Sequence, residues 1–294
     1  MRLLDKFRAP LLLLALAAAA GSAAAAGAAA TPKPASSGPA ANVPTAPAAP
    51  AAADPVIDAA VLEVMRQYDI PGMAIAVTRN GQQRFFNYGD ASRAPRKPVS
   101  PDTLFELGSI SKTFTVTLAG YAEASGKLSL GDSPAKYVPE LQGSAFAKTT
   151  LINLATHTSG GFPLQVPDAV QDTAQLMAYL KAWTPQYAPG THRTYANPSI
   201  GMLGVVAARS LGQPYVAALE QGLFPKLGLR STYVNVPPEK MPDYAWGYNK
   251  QNAPVRVNPG VLADEAYGVK STARDMIRLS LIHISEPTRR YAIS

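Results

Sequence analysis

The chain has 294 residues with 27 Lys and Arg, 20 Asp and Glu, three histidines and no cysteine. Without thiols there are no disulfides, no thiolate metal sites and no cysteine nucleophile. The histidines lack H-x-x-x-H or H-E-x-x-H spacing, so no metal or other cofactor is expected. The formal charge of +7 sits largely at the ends: between Asp54 and Arg278, 21 basic side chains face 18 acidic ones, and no basic run suggests a nucleic-acid partner.

The first residues read as a leader. Arg2, Lys6 and Arg8 precede an apolar run from Leu11 to Ala20, and several A-x-A sites follow between Ser22 and Ala30. This is the pattern of a secretory signal peptide over residues 1–26, too short in its apolar part for stable membrane insertion. A periplasmic location is expected from it. Residues 27–53, dominated by Ala, Pro, Thr and Ser, read as a disordered linker with nothing to bury.

A helix is predicted from Asp54 to Tyr68, stopped by Ile70-Pro71-Gly72. Met73–Thr78 and Gln83–Tyr88 read as two strands, and Asn80-Gly81 between them is a strong hairpin signal. Thr103–Leu107 is an extended approach to a buried helix over Thr113–Ala124, which Gly126 ends. Further helices are predicted at Gln171–Ala182, Ile200–Leu211 and Tyr215–Leu223, separated by Gly- and Pro-rich loops. One early hairpin and a helical middle suggest an α/β layer interrupted by a helical insertion. Residues 54–278 form the expected domain. From Leu279 to Arg289 the sequence resembles the translation of a transposon-type sequencing adapter, so residues 279–294 are expected to be a non-native tail and the gene to be cut there.

Two serines stand one helical turn before a lysine, at Ser109-Ile110-Ser111-Lys112 and Ser133-Pro134-Ala135-Lys136. A chain of this length is expected to hold about one S-x-x-K by chance, so context must choose. Side chains at i and i+3 of a helix share a face, which lets a lysine sit beside a serine hydroxyl and help move its proton. Ser109 follows an extended apolar stretch and opens an apolar helix, where the macrodipole favours a developing negative charge. Ser133, in Asp-Ser-Pro, reads as helix-start punctuation. Tyr195-Ala196-Asn197 is the second element: alternate residues of an extended segment can present a phenol and a carboxamide to one cleft. A tyrosine beside an ammonium can carry protons. His157 and His192 are expected to be structural, and Ser199 is read as a helix N-cap.

Phe105-Glu106-Leu107-Gly108-Ser109-Ile110-Ser111-Lys112, Leu154-Ala155-Thr156-His157-Thr158-Ser159-Gly160-Gly161, Pro163-Leu164-Gln165-Val166-Pro167, Tyr195-Ala196-Asn197 and Glu265-Ala266-Tyr267-Gly268-Val269-Lys270 together resemble class C β-lactamases from about Pro55 to Arg278. The resemblance implies a serine β-lactamase/D,D-peptidase-like fold, an α/β (α+β) arrangement of antiparallel sheet, flanking helices and a helical subdomain. It implies a monomeric serine hydrolase acting on small β-lactams. Ser109 would be acylated, Lys112 and Tyr195 would share the proton traffic, Asn197 and Gln165 would bind the substrate amide, and Tyr267 would line the pocket. An esterase or D,D-peptidase on the same scaffold, and a non-catalytic cell-wall-binding relic, are the alternatives. The family's late Lys-Thr/Ser-Gly strand has no counterpart after Tyr195, where only Lys270-Ser271-Thr272 comes near. The late sheet strands are therefore expected to be missing, and this 294-residue product to be unstable and essentially inactive.

Overall fold

A computed structural model of the chain describes residues 54–258 and 260–291, with side chains described as far as Ile282. The expected signal peptide and linker, 1–53, lie outside the described residues. Helix α1 spans Pro55–Tyr68; Asp54 caps it by accepting from the Ile57 N–H, with Pro55 fitting the first position and Asp69 ending it in the left-handed region. Strands β1 (Gly72–Arg79) and β2 (Gln82–Arg93) form the predicted hairpin. Asn80 and Gly81, with φ of 51° and 77°, make the turn whose twist matches the strands. Strand β3 (Arg96–Pro98) extends this sheet in the order β1-β2-β3. Asp54 pairs with Arg84 at 2.9 Å and Asp58 accepts from the Tyr88 hydroxyl at 2.7 Å, which ties α1 to the hairpin.

Strand β4 (Phe105–Glu106) leads through a 3-10 turn at Gly108–Ile110 into α2 (Ser111–Ala124). Then come α3 (Leu151–Ala155), α4 (Thr173–Ala182) and α5 (Asn197–Ser210). Asp172 caps α4, so that helix begins two residues later than its apolar spacing suggests. The predicted helix from Tyr215 is composite: α6 (Tyr215–Ala217), a π-helical stretch over Ala218–Leu223, and α7 (Phe224–Lys226). Short pieces follow, β5 (Thr232–Tyr233), β6 (Gly247–Tyr248), β7 (Pro254–Val255), α8 (Ala263–Tyr267) and β8 (Lys270–Ser271), and then the long helix α9 (Ala273–Tyr291). Strand β8 lies between β4 and β5, antiparallel to both. Helix α9 crosses the 278/279 boundary without a break, and Leu279 packs against the main core.

That core is helical. Phe114 and Leu118 of α2 and Ile200, Met202 and Leu203 of α5 are almost fully buried, with Phe114 edge-on to Phe224 at 5.2 Å. Burying each such side chain contributes about 1.5–3 kcal/mol. The core draws no residue from β1 or β2, and among the described residues β1 pairs with β2 alone. Helix α5 approaches α8 closely because it carries glycine at the contact. A methyl on Gly201 would meet Leu262 Cβ at 2.7 Å, and one on Gly204 would meet Glu265 Cγ at 2.7 Å. This close approach matters for the site, because α8 delivers a backbone carbonyl to Lys112.

Candidate active site

Ser109 stands in the 3-10 turn just before α2 rather than in the helix itself. Gly108 makes this possible: its φ of +52° turns the chain out of β4, a conformation that costs other residues steric strain. The Ser109 side chain is consequently exposed, while Lys112 in the first turn of α2 is buried. Lys112 Nζ donates to Ser109 Oγ at 2.9 Å and to the Ala266 carbonyl of α8 at 2.8 Å. Its remaining face looks onto the Tyr195 ring, 4.9 Å from the centroid. A buried ammonium is tolerable only with such partners.

Tyr195 donates its hydroxyl to the same Ser109 Oγ at 2.6 Å. The serine oxygen therefore accepts from an ammonium and a phenol together, and both bonds strengthen as negative charge develops on it. Burial alone would push the Tyr195 phenol up. Hydrogen bonds with Lys112 and Ser109, and the charges of Lys112 and Arg193, outweigh that and hold it below its ordinary value. Asn197, the first residue of α5, is buried and anchored by its N–H to the Leu164 carbonyl. Its Oδ1 is buried without a hydrogen-bond partner. Asn197, Gln165, Tyr267, Tyr195 and Ser109 all line one open cavity of about 820 Å³.

The rival serine is accounted for otherwise. Ser133 Oγ accepts from the Ala135 N–H and donates to the Ala147 carbonyl, and Lys136 pairs with Asp132 at 2.9 Å. The reading of Ser199 as an N-cap is corrected. Ala196 occupies that position, in extended conformation, and Ser199 is buried in the first turn of α5. Its hydroxyl bonds Ser159 Oγ at 2.7 Å and donates to the Leu154 carbonyl. Pro198, which can occupy a first helical turn, lets α5 begin before Ser199.

Three contributors were not visible as functional in the sequence. The Ala266 carbonyl is one, since a backbone acceptor leaves no side-chain signature. Val257 and Asn258, which line the cavity, are the second. The third is His157, which lies in the left-handed region at φ 60° in the turn after α3. Gly160 and Gly161 follow with positive φ, and at Gly160 a side chain would strike Tyr187 O at 2.8 Å. His157 Nδ1 accepts from the Ala196 N–H, and its ring lies 4.7 Å from that of Tyr195. It backs the phenol from inside the protein. Burial, then the nearby charges of Arg193 and Lys112, pull its pKa down to about 4.

A pH dependence follows. The unfolded chain binds a proton at His157 near pH 6.5 and the folded chain only near 4, so stability is full above the first value and falls as pH drops through this window. The loss is expected on the order of 1–3 kcal/mol. His157→Gln, which cannot titrate, should flatten that part of the curve. Urea midpoints between pH 7 and 4 for both chains measure it, and parallel curves would sink the assignment.

Among the described residues no group of His, Asp and Glu could hold a metal, and no helix is long and apolar enough to cross a membrane. A family profile described as Beta-lactamase matches residues 57–293. The β-lactamase of Lysobacter lactamgenus is 52% identical over 234 residues, covering 80% of this chain and 61% of that protein. That of Pseudomonas fluorescens is 50% identical over 222 residues, covering 76% and 62%. The crystal structure of a β-lactamase/D-alanine carboxypeptidase from Pseudomonas syringae superposes with a TM-score of 0.76 at 58% identity, covering 78% of this chain and 65% of that one. A class C β-lactamase solved with cefoxitin superposes with a TM-score of 0.74 at 50% identity, covering 76% and 63%. The chain thus spans about three fifths of the length of the curated relatives it matches. On this evidence the chain belongs to the β-lactamase family, with class C enzymes among its structural relatives.

Proposed function

We propose that this chain carries the acylating half of a serine β-lactamase site, and that β-lactams acylate Ser109. The observation that carries the reading is the convergence of Lys112 Nζ and the Tyr195 hydroxyl on Ser109 Oγ, at 2.9 and 2.6 Å. In the step envisaged, Ser109 Oγ bonds to the lactam carbonyl carbon and the ring C–N bond breaks. The serine proton passes through Lys112 and Tyr195 to the departing nitrogen. The Ser109 backbone N–H supplies one oxyanion donor. Asn197 and Gln165 take the substrate's side-chain amide, and Tyr267 closes one wall.

Among the described residues no Lys-Thr/Ser-Gly tripeptide offers a second oxyanion donor, and a site lacking one such donor works about 100- to 1000-fold more slowly. Slow acylation with little turnover is the expected behaviour. Export to the periplasm, on the leader at residues 1–26, would place the site where these substrates arrive. The test is to incubate the purified chain with a fluorescent penicillin, digest it and map the adduct by mass spectrometry. Label on the peptide containing Ser109 is expected; label elsewhere, or none after hours at millimolar penicillin, would overturn the reading. A D,D-peptidase is the second reading, because the Pseudomonas syringae relative bears both names. Release of D-alanine from an acyl-D-Ala-D-Ala peptide faster than release of the penicilloyl group would favour it.

A further inference from the structure

Glu106 ends β4, three residues before Ser109, and takes no part in the contacts around Ser109 Oγ. Its Oε1 accepts two hydrogen bonds, from the Tyr244 hydroxyl at 2.5 Å and from the Val257 N–H at 2.9 Å. Both donors belong to one stretch of chain, and that stretch continues directly into Val257 and Asn258 on the wall of the substrate cavity. A single carboxylate oxygen thus joins the strand that leads to Ser109 to a stretch of the cavity wall.

The layer behind is built around a cation. The Arg256 guanidinium lies 3.8 Å from the ring centroids of both Tyr244 and Trp246 and donates to the Tyr244 carbonyl at 2.9 Å. Its Nε is buried without a partner. Two aromatic faces rather than the carboxylate hold this cation, which leaves Glu106 Oε1 for Val257. Burial and the Glu106 charge hold the Tyr244 phenol well above its ordinary value, so it stays a donor throughout the working range. The segment is also stitched to its surroundings by the backbone. The Leu104 N–H donates to Asp243, the Ala245 N–H to Leu104, and the Trp246 N–H to Ala91. These bonds fix Tyr244. Val257 lies thirteen residues further on, and Glu106 is what returns it to β4.

We propose that Glu106 is a positioning residue that fixes the Val257–Asn258 wall relative to Ser109 and so selects which β-lactam side chains the cavity admits. The proposal rests on the acylation reading above. It places Glu106 outside the chemistry: Ser109, Lys112 and Tyr195 hold one another without it. Removing the carboxylate should therefore change the concentration dependence of acylation, in a way that depends on substrate bulk, and leave the limiting rate in place.

The experiment compares the unmodified chain with Glu106→Ala, Glu106→Gln and Tyr244→Phe. Acylation of Ser109 is followed with a benzyl-bearing penicillin and with a cephalosporin carrying a bulky oxyimino side chain. Backbone hydrogen exchange at Val257 is measured on the same samples. Glu106→Ala should shift the ratio of half-saturating concentrations for the two substrates by about 5-fold or more, with limiting rates within about 2-fold. It should also speed Val257 exchange by about 10- to 100-fold, the loss of a hydrogen bond to a charged acceptor. Glu106→Gln keeps an acceptor oxygen and should stay near the unmodified chain. Tyr244→Phe keeps the ring on Arg256, should fall between, and decides the matter if the alanine variant does not fold. An unchanged ratio with unchanged exchange, or an equal fall in limiting rate for both substrates, would overturn the proposal. If the unmodified chain takes no label at all, the acylation reading fails, and Val257 exchange alone tests the anchor.

Discussion

Ser109→Ala is expected to abolish covalent labelling, lowering the acylation rate by about 10⁴-fold or more, because no other group can form the acyl bond. Neighbouring hydroxyls offer no substitute. Ser111 is buried in the first turn of α2 and accepts from the Val269 N–H, a bond that fixes β8 to that turn. Tyr195 is engaged with Lys112, and peptide mapping checks that no label moves to it. The companion variant Ser133→Ala should leave acylation unchanged and lower stability by about 1 kcal/mol, the usual cost of a lost N-cap. Equal labelling of Ser109→Ala and the unmodified chain would reject the nucleophile.

The hairpin and the contact of Ser109 with Lys112 were legible in the sequence because each rests on local chemistry. Asn80-Gly81 specifies a turn through its own φ preference, and Ser109 with Lys112 specifies a shared face through spacing. Asp54 and Asp58 show the limit. Both fell within the predicted helix, but that they bind Arg84 and Tyr88 depends on contacts thirty residues apart. The pieces after Thr232 were missed for a related reason. Strands β5 to β8 have two residues each and α8 only five, too short for any period to register. They exist because tertiary partners define them: β8 is held between β4 and β5, and α8 lies against the glycines of α5. Ser199 was misread because Asn-Pro-Ser places the hydroxyl close to a plausible helix start, whereas the chain had already entered the helix at Asn197. Gln165 and Tyr267 came from motif likeness; the fold places both on the cavity that holds Ser109, although neither makes a hydrogen bond there.

Two structural facts bear on how well such a site can work. The helical core holds the nucleophile turn, Lys112 and Asn197 in buried, well-partnered surroundings. Among the described residues the hairpin adds nothing to that core, β1 pairs with β2 alone, and a groove of about 420 Å³ lies between β1 and α9. An open edge strand invites association with other chains and lowers local stability. Protection from hydrogen exchange should therefore be lower in β1 than in α2 or α5. The groups proposed to attack and shuttle protons are on the core side of the molecule.

Lys112→Ala is expected to slow acylation of Ser109 by about 10³-fold, within the range for loss of a positioned proton carrier. The ammonium does two things at once. It donates to Ser109 Oγ and, fixed by the Ala266 carbonyl, it lowers the Tyr195 phenol against the opposing effect of burial. Removing it deletes one donor to the developing alkoxide and lets the phenol rise, so the residual acylation rate should reach its plateau at higher pH than in the unmodified chain. Lys112→Arg separates charge from proton transfer: arginine retains the cation but does not give up its proton. If the lysine acts chiefly as a fixed charge, Lys112→Arg should recover much of the rate and the original pH profile. If it carries the serine proton, Lys112→Arg should be as slow as the alanine variant while its pH profile stays low, because Tyr195 remains beside a cation. The contact of Lys112 Nζ with the serine oxygen is common to both outcomes, and the arginine variant separates them. Acylation of Lys112→Ala within about 10-fold of the unmodified chain would remove the lysine from the mechanism and leave Tyr195 as the sole proton acceptor.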